Sequence, residues 1–319
     1  MSRTARALIA LALVVAPLTL VVLLGAATPQ RAPAVANSLA VVAAQEVPPT
    51  ETSAPPTATP IPPTPTLARR EFNESGAPKV APTSFLPGRG PELPGEFVYA
   101  GRRLDFFVGR GTYAPEEVAE LAIKAEHALS YLQKRFATSL SERVSVGVYS
   151  ASQAPGRGTR GIAYTYGDTN VRIYYRPGED KHKALVILSH ELAHALQAEA
   201  YGKEVQRQAD TVLLEGLASF ISGEYWLSLS EAPSFHARAQ ELYRAGYSGS
   251  LAAMGRHSPD VAYDMWAGFV DYLTRTYGWD RFNLLYQSGR GRAPGSADYL
   301  GVYGKSFKEL ADEYYATLE

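Results

Sequence analysis

The stretch from Ala184 to Ala200 places the tightest limit on how this chain can fold. Its apolar residues recur at helical spacing, and His190-Glu191-Leu192-Ala193-His194 lies inside it. At about 100° per residue, positions i and i+4 project from one face of a helix, one turn apart. Two imidazoles are thus presented at a separation that can grip one metal ion. Glu191 lies one step round the helix, close enough to hydrogen-bond a water at that ion. A pattern this short arises by chance in on the order of one chain per hundred of this length, so a second feature is needed.

The segment Thr211 to Phe220 supplies it. It reads as a second amphipathic helix whose only acidic residue is Glu215, set among apolar neighbours. A lone carboxylate there is costly to bury unless it is paired or bound to a metal. Gly216, next in sequence, costs about 1 kcal/mol relative to Ala inside a helix. Such a glycine fits where another helix passes close by, for instance the one bearing the histidines. Two His and one Glu form a known catalytic zinc shell with a fourth position left for water.

His190-Glu191-x-x-His194, twenty intervening residues, then Glu215-Gly216-x-Ala218-x-Phe220, resembles the gluzincin metallopeptidases, the clan of thermolysin and the aminopeptidase N-like enzymes. The resemblance implies His190, His194 and Glu215 as zinc ligands and Glu191 as general base. The metzincin pattern needs a third His six residues after the second, where this chain has Ala200. Further on, Ala262 to Leu273 is similar to a helix of the aminopeptidase N-like members. The leading Tyr of that helix hydrogen-bonds the oxyanion, which implies that role for Tyr263. Thermolysin-like members use a His instead, which keeps His257 open as the alternative. A phenol with an ordinary pKa near 10 is a neutral donor at pH 7.

Two departures stand out. No G-x-M-E-N sequence lies between Gly156 and Pro177, which argues against a dedicated aminopeptidase. Where several members carry an Asp four residues after the ligand Glu, this chain has Ser219, so Ser219 or Asp210 is expected to orient a zinc histidine. The resemblance spans roughly residues 160–290, about 40% of the chain.

The amino terminus reads as an export segment. Arg3 and Arg6 precede an uncharged apolar run from Ala7 to Ala27, which fits a cleaved signal peptide or a retained membrane anchor over 1–28. Arginines ahead of the run keep that end inside and send the remainder out. Residues 29–94 read as a Pro/Thr-rich disordered linker, with too few bulky apolar residues to fold. Asn73-Glu74-Ser75 within it is a glycosylation sequon that reads as chance.

Residues 95–319 are enough for one catalytic domain, and with no cysteine in the chain its stability must come from a packed core. Strands are expected at Phe97–Tyr99, Leu104–Val108, Val144–Val148 and Val171–Tyr175, with a helix over Pro115–Phe136 and helical periodicity after Lys181. By the resemblance, Val171–Tyr175 is the sheet edge that lines the cleft and can pair with an extended peptide. Arg157–Gly161 reads as a flexible loop, and Arg290 and Arg292 as a surface loop. The expected class is α+β, a small mostly antiparallel sheet followed by a helical subdomain with the zinc site on two adjacent helices.

His127, His182 and His236 read as ordinary solvated or core histidines. A net charge of −1 gives no sign of nucleic-acid binding. The expected molecule is an exported monomeric zinc metallopeptidase with one Zn2+ per chain, acting on peptide or protein substrates and able to anchor in a membrane through its first residues. An inactive gluzincin-like binding module on a membrane stalk, or a zinc hydrolase of non-peptide amides or esters, are the alternatives.

Overall fold

In the computed structural model of the chain, the described residues are 93 and 95–319, apart from 111, 157, 166, 167 and 177 and the side chains of 259 and 260. The expected export segment, the sequon and the Pro/Thr-rich linker, apart from Leu93, lie outside the described residues.

The chain enters a hairpin of β1 (Glu96–Ala100) and β2 (Leu104–Val108), then crosses through helix α1 (Pro115–Phe136) to β3 (Val144–Ser150). A second hairpin follows, β4 (Gly161–Tyr164) and β5 (Asn170–Tyr175). The five strands lie in the order β1-β2-β3-β5-β4. The outer pairs are antiparallel, while β2–β3 and β3–β5 are parallel. The sheet is therefore mixed, not mostly antiparallel. The cause is α1, because a helix between two neighbouring strands returns the chain to its starting end and makes them run the same way.

Val171–Tyr175 is likewise not the edge. β5 is interior, and the edge on this side is β4, four residues long and too short to show a clear alternation.

Along the strands, Leu104, Phe106, Val144, Val146, Val171 and Ile173 point to one face and are fully or almost fully buried. That face is covered by α1 and by α2 (Lys181–Tyr201). Phe107, Tyr149 and Tyr174 form a smaller cluster on the other face.

Helix α2 starts where Asp180 accepts a hydrogen bond from the His182 N–H at 2.9 Å, and stops at Gly202, whose φ of 88° suits glycine. Short α3 (Lys203–Gln208) leads into α4 (Thr211–Ser222), which packs across α2. The remaining helices are α5 (Glu224–Leu227), α6 (Phe235–Arg244), α7 (Leu251–His257), α8 (Pro259–Tyr277), α9 (Trp279–Gln287), α10 (Tyr299–Tyr303) and α11 (Phe307–Ala316).

Gly216 marks a close helix crossing, but its neighbour is α8, not α2. A Cβ there would lie 2.6 Å from the Trp266 carbonyl oxygen. Among the described residues no helix is long and apolar enough to cross a membrane.

Candidate metal centre

The four-residue spacing in α2 sets His190 and His194 on one face, and α4 brings Glu215 opposite them. One carboxylate oxygen of Glu215 lies 3.2 Å from His190 Nε2 and 3.3 Å from His194 Nε2. The three donor groups lie within 4.8 Å of one another and could hold a metal ion. Both imidazoles are buried, while the Glu215 side chain retains 20% exposure toward the cleft.

The opposite ring nitrogens are held from behind. Gln197, one turn after His194, places its Oε1 2.9 Å from His194 Nδ1. Its amide is oriented by donating through Nε2 to the Leu214 carbonyl at 2.9 Å. An oxygen facing Nδ1 requires a proton there, so in the neutral ring the lone pair is on Nε2, aimed at Glu215 and the centre. Gln206 Nε2 adds a hydrogen bond to the His194 carbonyl at 2.7 Å. On the other ring, Ser219 Oγ lies 3.3 Å from His190 Nδ1. These contacts leave both Nε2 atoms to converge on the Glu215 carboxylate, an arrangement that could hold a metal ion.

Asp210 serves elsewhere. Its carboxylate caps α4 at the Val212 N–H, 2.9 Å, and accepts from the Ala297 N–H and from the Tyr299 hydroxyl at 3.0 Å.

Glu191 is buried against β4, its carboxylate packed on Gly161. The Arg160 carbonyl accepts from Tyr174 N–H, so by alternation Gly161 and Ala163 turn their N–H and C=O groups to the open edge. Gly161 permits the approach, since a Cβ there would lie 2.3 Å from Glu191 Oε1 and 2.6 Å from its Cγ. Gly161, the last residue of the segment that read as a loop, thus opens the strand against which Glu191 rests.

Burial drives most of the electrostatics, since an apolar setting disfavours charge. It pushes His190 down. Burial acts the same way on His194, but the facing Glu215 outweighs it and holds that imidazole up at about 9. Burial would raise Glu215, yet the two imidazoles, His194 first, hold it well below the usual carboxylate range. For Glu191 burial outweighs the opposing charge of His194 and pushes it up to about 7. Without metal, the proton thus resides on His194 and the negative charge on Glu215.

A cleft of about 640 Å³ opens over these residues, lined by β4 on one side and by Trp226 and Tyr263 on the other. Tyr263, on α8, has its ring 5.5 Å from that of His190. The Glu215 charge and burial together keep its phenol protonated, well above the ordinary value. His257 is exposed at the end of α7 and is not part of the cleft wall. Trp226 stands 5.1 Å from the His190 ring, fixed by its indole N–H donating to Asp264 at 2.7 Å, which Arg238 holds in turn at 2.8 Å.

His127 and His182 are exposed and His236 is half-buried on α6, all away from the cleft wall. Gln197, Gln206, Gly161 and Trp226 were not singled out by the sequence. A Gln three residues after the second His carries a weak signal, being polar inside an apolar run; the others carry none. A scan of protein-family profiles and a search of curated proteins each returned no match to this chain.

Proposed function

We propose that the domain is a zinc-dependent metallopeptidase of the gluzincin type, working outside the cytoplasm on peptide or protein substrates. The observation that carries this reading is the convergence of His190, His194 and Glu215 within 4.8 Å in an open cleft that also contains Glu191. Two imidazoles and one carboxylate suit zinc, which when bound would polarise a scissile carbonyl and acidify water.

The chain's own residues supply the rest. Glu191, with its carboxyl near 7, can take a proton at neutral pH and pass it to the leaving amine. The protonated Tyr263 hydroxyl can donate to the developing oxyanion. The outward backbone groups of Gly161 and Ala163 can pair with an extended substrate as an added strand. The basic start and apolar run at the amino terminus support export.

Metal analysis of the purified protein should give near one zinc per chain. Glu191→Gln should keep that zinc while hydrolysis of a peptide library falls by about 10²–10⁴-fold. Turnover retained by Glu191→Gln would remove the mechanism. Absence of bound zinc would favour a binding module.

A further inference from the structure

The loop between α9 and α10 carries Arg292 to the cleft wall. Its backbone is tied to the segment that leads into the Glu215 helix. The Arg292 carbonyl accepts from the Thr211 hydroxyl, and the Gly291 N–H donates to the Gln208 carbonyl at 2.9 Å. Ser296 Oγ closes the loop on the Gly291 carbonyl at 2.6 Å. Gly289 lets the two segments touch, since a Cβ there would lie 2.4 Å from the Gln208 oxygen.

The side chain is positioned too. Its Nε donates to the Arg207 carbonyl at 3.2 Å, which leaves the two terminal amino groups as a fork. Three cations line the cleft. Arg160 holds Glu179 at 2.6 Å, and Lys183 stands 4.0 Å from the same carboxylate. Among the described residues Arg292 has no carboxylate within ion-pair distance. The acids on the cleft wall, Glu191 and Glu215, are turned to the metal centre and β4.

An anchored guanidinium fork on the wall of the same cleft matches the two oxygens of a carboxylate better than any other common peptide group. We infer that Arg292 is a specificity determinant that receives a carboxylate carried by the substrate, whether its C-terminus or an acidic side chain. This rests on the peptidase reading.

The test uses the zinc-loaded full chain bearing Glu191→Gln, so that peptides bind without being cleaved. Matched peptides are titrated by calorimetry: free acid against C-terminal amide, and an internal Glu against Gln. Because Arg292 is exposed, its preference should be modest, about fivefold for the carboxylate form at low salt. It should shrink as salt screens it. The acid-to-amide ratio, or the Glu-to-Gln ratio, should fall to near one in Glu191→Gln/Arg292→Gln and be partly kept with Arg292→Lys. Whichever pair shows the effect identifies the source of the carboxylate. Equal affinities, or a preference that survives Arg292→Gln, overturn the inference and leave the peptidase reading standing. If no peptide binds and the wild type hydrolyses none, both fall.

Discussion

Helices α1 and α2 have nearly the same length, 22 and 21 residues, and lie on the same face of the sheet. They bury themselves differently. Helix α1 hides one stripe, Val118, Leu121, Ala125, Leu129 and Leu132, and turns pairs such as Lys124–Glu120 to water. Helix α2 is buried without a break from Leu188 to Ala198, with strands on one side and α4 on another. A helix covered in this way meets solvent in its middle only through the cleft. Each polar group in its middle must be answered by a partner or it destabilises the fold. Ser189 bonds back to the Leu185 carbonyl at 2.8 Å, while His190, Glu191, His194 and Gln197 are answered by Glu215, β4 and α4. A polar residue on the outer face of α1 says little; in the buried middle of α2 each one has a partner.

This contrast can be broken most forcefully at the core of α1. Leu132→Ala removes a fully buried side chain and should cost about 2–5 kcal/mol, read from denaturant unfolding. The folded fraction should still bind metal at the wild-type stoichiometry; loss of metal from folded protein would mean that the two helices are not separable in this way.

A narrower comparison sets two buried glutamines side by side. Gln133 of α1 accepts from the Leu140 N–H at 3.0 Å, whereas Gln197 of α2 faces His194. Gln197→Ala should weaken metal binding by about 10–100-fold in competition with a chromophoric chelator. Gln133→Ala should cost about 1 kcal/mol of stability and leave metal affinity alone. Equal metal losses from both would remove any special role for Gln197.

The gentlest effect is in pH. Raised above its ordinary value near 6.5, His194 stabilises the metal-free protein fully below that pH, and the contribution is lost as pH rises through about 9. Glu191 is raised to about 7, so its burial adds a cost that grows from its ordinary range near 4.5 up to that pH. Between pH 7 and 9 only the His194 contribution still changes in this pair, and metal-free stability should decline. Saturating zinc should abolish that slope, because the ligand must give up its proton to bind. An unchanged slope with His194→Ala would show that another group is responsible.

What could be read from the sequence follows the same division. The bounds of α1 and the grouping of His190, His194 and Glu215 rest on spacing within one segment and on the single carboxylate of a second helix. The edge strand escaped because Gly161–Tyr164 is short and opens on a glycine, and its purpose appears only when Glu191 lies against it. Gln206 and Trp226 escaped for a related reason: their partners, His194 and Asp264, are 12 and 38 residues away. The parallel centre of the sheet was missed because strand periodicity carries no direction; the helix between β2 and β3 was the available clue.

The carboxylate of Asp210 has a consequence for timing. It starts the helix that carries Glu215, yet it is satisfied by the backbone of Ala297 and the hydroxyl of Tyr299, 87 and 89 residues downstream. A chain that emerges from the ribosome amino end first has made both histidines and Glu215 long before that anchor exists. Until Ala297 and Tyr299 are in place the Glu215 helix lacks this one anchor, and only its packing on its helical neighbours positions it.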